Sequence, residues 1–108
     1  MNTSNTAKQT AAIIMQQLGG NRFIAMTGSK NFVYGTKYNN NDYLQIELTR
    51  NKIQAKFLRI ELNANDTYTM EFIKLRKFEV STVAKHEDVY CDMLQDIFTS
   101  ETGLYTSL

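Results

Sequence analysis

Apolar positions recur along this chain with two different periods. Near the N-terminus Ala11, Ile14, Met15 and Leu18 fall at i, i+3, i+4 and i+7, the stripe of an amphipathic helix. Thr6, with Gln9 three residues on, fits a capping box at the start of that helix. Gly19-Gly20 stops it, because glycine takes the left-handed cap conformation with no Cβ in the way. Further on the period becomes two. Leu44, Ile46 and Leu48 alternate with Gln45, Glu47 and Thr49, and Leu58, Ile60 and Leu62 alternate with Arg59 and Glu61. Alternation with one polar side predicts half-buried antiparallel strands.

Shorter runs fill in the meander. Residues 23–26 and 31–34 are predicted as strands around a turn at Thr27-Gly28-Ser29-Lys30. Asn39-Asn40-Asn41-Asp42 reads as a loop tip and Asn63-Ala64-Asn65-Asp66 as a turn. Tyr68, Met70 and Phe72 then resume the apolar face. Adjacent Phe72 and Ile73 imply a bulge or a stretch covered on both sides. Residues 78–83 add a further strand, although 74–85 mixes charged and apolar residues without a clean period. Residues 87–100 return to helical spacing, with rows Val89, Met93, Ile97 and Tyr90, Leu94, Phe98 beside an acidic edge of Asp88, Asp92 and Asp96. Gly103 caps this helix and Leu104 folds back on it. The expectation is one α+β domain over residues 1–108. An antiparallel meander of about five strands carries an N-terminal and a C-terminal helix on one face.

Composition narrows the class. The chain has 108 residues, 43% apolar and 21% charged, which is one soluble globular domain and too little for two. No proline stiffens the unfolded chain, and a domain this small has a thin margin of buried surface. A homodimer that buries extra apolar area is therefore expected. The single cysteine, Cys91, cannot close an internal disulfide, so the pattern is not that of a stapled secreted domain. The first apolar run, residues 11–15, is too short for a signal-peptide core, and no stretch has the length of a membrane span. The expected compartment is the cytoplasm.

Net charge is only +1, but it conceals a polarity. Residues 1–59 carry eight bases and two acids, and residues 60–108 carry four bases and nine acids. The early bases Arg22, Lys30, Lys37, Arg50, Lys52, Lys56 and Arg59 could line a phosphate-binding sheet face on which Tyr34 and Tyr38 stack bases. Alternatively Asp88, Asp92 and Asp96 dock a protein partner, the chain acting as an inhibitor or adaptor. The plain alternative is a solvated face on which Arg59 pairs with Glu47 or Glu61 across strands, in a structural homo-oligomer.

Catalytic constellations are missing. Cys91 and the single histidine, His86, are five residues apart, which on a helix turns them away from one another, so Cys91 is expected as a small packing residue. One His and one Cys do not make a zinc site. Gly28-Ser29-Lys30 has the residue types of a phosphate loop without its spacing. No enzyme, cofactor or metal is expected.

The order Gly19-Gly20-Asn21-Arg22-Phe23-Ile24-Ala25-Met26-Thr27-Gly28, then Asn65-Asp66-Thr67-Tyr68 and Thr102-Gly103-Leu104, resembles short uncharacterised proteins of bacteriophages, prophages and mobile elements of gut bacteria. The resemblance implies a small accessory protein made in a bacterial cytoplasm, acting by binding host or phage factors. It assigns no residue a chemical role.

Overall fold

The computed structural model describes the backbone of residues 3–106 and the side chains of residues 6–106. Helix α1 spans Thr3–Leu18. It starts ahead of the expected capping box, so Thr6 lies inside the helix rather than at its cap. The apolar stripe explains the extension: Ala7 is buried along with Ala11, Ile14 and Leu18, and burial of a continuous face outweighs a local stop signal.

Gly19 and Gly20 then turn the chain at φ 124° and 59°, as expected of a helix stop. Beyond them the fold departs from the expected strand. Residues expected as a strand and a hairpin turn form a second helix, α2, Asn21–Thr27, closed by Gly28 at φ 69° with its N–H donating to the Ile24 carbonyl. A short aromatic run fits either period, and packing decides. Phe23 and Thr27, four apart, are both buried, and the Phe23 ring meets Phe98 edge-on at 5.0 Å. The Thr27 hydroxyl also donates to the Phe23 carbonyl at 2.7 Å.

Five antiparallel strands complete the layer in sequential order: β1 Lys30–Thr36, β2 Asp42–Glu47, β3 Phe57–Leu62, β4 Tyr68–Arg76 and β5 Glu79–Val89. Leu44, Ile60 and Met70 stand opposite one another across β2, β3 and β4, as do Ile46, Leu58 and Phe72. That side of the sheet packs with Ile14, Leu18, Phe23, Leu94 and Phe98 in one core, so the helices cover one face and leave the other open. The bulge expected at Phe72-Ile73 is present: β5 carries an extra residue opposite that step, and both Phe72 and Ile73 are buried. A second register shift lies between Tyr68 and Met70.

The C-terminal helix is shorter than expected. β5 runs on through Val89, a 3-10 turn covers Cys91–Met93, and α3 spans Leu94–Thr102. Val89 is buried as a strand residue opposite Tyr68, while Leu94, Phe98 and Thr102 form the buried helical row. The acidic edge is consequently broken up: Asp88 is the penultimate residue of β5, Asp92 sits in the 3-10 turn and Asp96 lies in the first turn of α3. Cys91 is exposed and does not pack in the core. Gly103 caps α3 in the left-handed region and Leu104 packs back onto the core, as expected.

Candidate nucleic-acid interface

Side chains alternate across a sheet, so each base predicted to bind can be assigned a side. Arg59 belongs to the open face, opposite Gln45 on β2 and Glu71 on β4. Its guanidinium donates twice to Gln45 Oε1, at 2.8 and 3.2 Å, and stands 5.3 Å from the centre of the Tyr43 ring. Glu47 and Glu61 are on this same face, and neither is its partner. Tyr43 lies against Gly35, where a Cβ would come within 2.8 Å of the Tyr43 hydroxyl, so the missing side chain on β1 gives the ring its seat.

Lys37 and Tyr38 belong to the β1–β2 loop at one end of the sheet. Lys37 Nζ donates to Glu61 at 2.9 Å, and Asn39 and Asn41 donate to the other oxygen of the same carboxylate. Burial raises the Glu61 pKa, but these hydrogen bonds and the Lys37 charge outweigh it and hold the carboxyl below its usual range. Tyr38 is fully exposed at this loop. Tyr34, opposite Leu44, lies on the helix-covered side of the edge strand and is partly exposed there. Arg22 is exposed on α2, away from the sheet.

The remaining predicted bases collect at the opposite end of the sheet, where β1 and β3 begin and β2 ends. Lys30 and Lys56 both face Glu47, at 3.7 and 3.2 Å. Asn31 and then Lys56 are the main hydrogen-bond donors that hold the Glu47 carboxyl below its usual range. Arg50 and Lys52 occupy the β2–β3 loop. That loop is anchored by its backbone: Lys52 N–H donates to the Thr102 carbonyl at 2.9 Å and Lys56 N–H to the Ile73 carbonyl at 2.7 Å. Asn51 pins it further by bonding Thr49 and Ala55.

Sequence reasoning missed the rest of this end. β4 finishes and β5 begins here, which adds Lys74, Arg76, Lys77 and the fully exposed Phe78. Lys74 Nζ bonds the Gln54 side chain at 3.0 Å, tying the hairpin to the β2–β3 loop. A shallow depression bordered by Arg50, Gln54, Lys56 and Leu75 joins the two. Among the described residues Arg22, Arg50, Lys52, Lys74, Arg76 and Lys77 have no carboxylate within ion-pairing distance. Lys30, Arg50, Lys52, Lys56, Lys74, Arg76 and Lys77 thus share one end with Glu47 and Glu79. The available signal was the run of Lys74, Arg76 and Lys77 around a two-residue turn, obscured by the irregular period of 74–85.

Asp88 and Asp92 fall at the other end, beside exposed Tyr90 and Met93, while Asp96 lies on α3. His86 Nε2 is 2.9 Å from Glu101 Oε2 and stacks edge-on against Phe72. Among the described residues no group of three or more His, Cys, Asp and Glu side chains could hold a metal ion, and no helix is long and apolar enough to cross a membrane. Comparisons with protein-family models, curated proteins and solved structures give no match.

Proposed function

We propose that this protein binds nucleic acid, or a complex that handles nucleic acid, through the basic end of its sheet and without catalysis. One observation carries the reading: Arg50, Lys52, Arg76 and Lys77 have no carboxylate partner among the described residues, Arg76 and Lys77 adjoin the exposed Phe78, and Arg50 borders the exposed Leu75. Unneutralised cations attract phosphate, and an adjacent exposed ring supplies stacking that is tolerant of sequence. Lys30 and Lys56, already shared with Glu47, contribute field more than direct contact. Arg59, engaged by Gln45 and the Tyr43 ring, makes no contact with the ligand in this reading.

Titrating salt against binding of labelled single- and double-stranded oligonucleotides tests this. Phosphate contacts make log affinity fall linearly with log salt. Absence of binding to any oligonucleotide at low salt overturns the reading. Resemblance to small phage and mobile-element proteins supports an accessory role in a bacterial cytoplasm, a setting rich in nucleic-acid targets.

A second reading rests on the far end of the sheet, where Tyr90 and Met93 stand exposed beside Asp88 and Asp92. There the protein would dock a basic protein partner, and Asp88→Asn with Asp92→Asn would abolish capture of that partner. A homodimer would form at the β1 edge, where Phe32, Val33 and Tyr34 are exposed in succession and no charge lies between Lys30 and Lys37. Light scattering across a concentration series reads its mass directly.

A further inference from the structure

The ladder between β4 and β5 outruns the sheet. β3 stops pairing at Phe57 opposite Ile73, whereas β4 and β5 continue through Lys74 with Ser81, Leu75 with Val80 and Arg76 with Glu79. These residues make a two-stranded arm beyond the five-stranded layer, closed by Lys77 and Phe78. Lys77 holds φ 55°, a conformation that costs an L-residue free energy and that sets the direction of the tip. Phe78 has a relative exposure of 101%, so both faces of its ring are free.

The arm has two unlike sides. Leu75 and Val80 form a cross-strand pair on the open-face side, exposed at 44% and 68%. Lys74 and Arg76 point to the other side, by the alternation of the strand. Cations on one flank, an aliphatic pair on the other and a ring at the tip suit a ligand that offers phosphates and flat apolar faces together. Nucleic acid has both, but in different accessibility. In a duplex the base faces are stacked away and only edges show in the grooves. Phenylalanine has no donor or acceptor with which to read an edge. A two-stranded ribbon fits the major groove, about 12 Å wide, but is broader than the minor groove of about 6 Å, where apolar wedges usually enter. An unpaired base has an open face.

Resting on the proposed nucleic-acid function, we infer that the arm selects single-stranded over double-stranded nucleic acid. Phe78 stacks on one unpaired base, Leu75 and Val80 support its neighbour, and Lys74, Arg76 and Lys77 hold the flanking phosphates. Single strands are thereby preferred over duplexes of the same length.

The test uses the full chain and three labelled probes of equal length: a single-stranded oligonucleotide, its duplex, and a single strand of abasic sugar-phosphate units. Wild type is expected to bind the ordinary single strand about tenfold tighter than either other probe, the gain that base–aromatic stacking supplies. Phe78→Ala should cut single-strand affinity to near the abasic level, with the salt slope unchanged. Phe78→Tyr should restore it. Because Phe78 is fully exposed, thermal unfolding midpoints of these variants should match wild type. Equal binding of single strand and duplex, or an unchanged preference in Phe78→Ala, overturns the inference while leaving nucleic-acid binding intact. No binding of any probe at low salt overturns the underlying function instead. Binding to anionic vesicles that Phe78→Ala abolishes, with no single-strand preference, assigns the arm to a lipid surface and also overturns it.

Discussion

The two ends of the sheet treat charge in opposite ways. At the end that holds the β1–β2 loop, Glu61 is saturated by Lys37, Asn39 and Asn41, and Asp42 accepts from both Thr10 and Thr36. These two carboxylates close a loop and fasten α1 to the sheet. At the other end Glu47 occupies Lys30 and Lys56, and Arg50, Lys52, Arg76 and Lys77 are left without acid partners among the described residues. Asp88 and Asp92, without ion partners among the described residues, lie at the first end, so the two ends carry unpaired charge of opposite sign. Under the proposed function, the difference separates stability from recognition within one layer.

Variants can break or sharpen that separation. The largest effect is expected for Phe98→Ala, which removes the ring that Phe23 meets and opens a cavity in the core shared by the whole sheet. Chemical denaturation should show a loss of about 3–5 kcal/mol, and both ends should fail together. Glu61→Gln should cost about 1–3 kcal/mol by leaving the Lys37 ammonium without its carboxylate, yet leave oligonucleotide affinity unchanged. The same residue sets a pH dependence. Its folded pKa lies below its ordinary value of 4.5, so its stabilising effect is complete above that value and fades as pH falls through the lowered one. A denaturation series between neutral and acid pH should therefore fall less steeply for Glu61→Gln.

The reverse pattern is expected at the basic end. Arg50→Ala with Lys52→Ala and Arg76→Ala should lower oligonucleotide affinity about tenfold or more and flatten its salt slope, since each lost phosphate contact removes roughly 0.7–0.9 from that slope. Unfolding free energy should change by no more than about 0.5 kcal/mol per substitution, as surface changes of this kind usually do. The smallest change is expected for Arg59→Ala. Its guanidinium is engaged with Gln45 and Tyr43, so stability should drop by about 1 kcal/mol, seen in denaturation, and binding should not move.

Where burial is one-sided and the period unbroken, the sequence was legible. The alternation of Leu58, Ile60 and Leu62 with Arg59 and Glu61 reads as the strand β3 because Leu58 and Ile60 go inward while Arg59 stays half in solvent. The Gly19-Gly20 stop and the Gly103 cap were equally plain, since only glycine holds those backbone angles without cost. Residues 23–26 were not legible, because four residues cannot separate a helical period from a strand and the deciding partner, Phe98, lies 75 positions away. The acidic edge failed for a related reason. Val89 satisfies a helical row in one dimension and a strand register in space, and its pairing with Tyr68 extends β5 into the expected helix. As for the candidate site, Lys30, Arg50, Lys52 and Lys56 were visible in the sequence without their gathering point. Strand order brings them to one end together with Lys74, Arg76 and Lys77, and no local pattern encodes strand order.

The arm beyond Ile73 has a consequence for how the protein ages in a cell. Its backbone gains nothing from a third strand, and its tip offers Arg76 and Lys77 in a strained bend that opens with little loss elsewhere. A protease that cleaves after basic residues should therefore nick the chain there first. The two fragments should stay clasped through the remaining β-ladders and the shared core, so one cut would blunt the molecule without unfolding it.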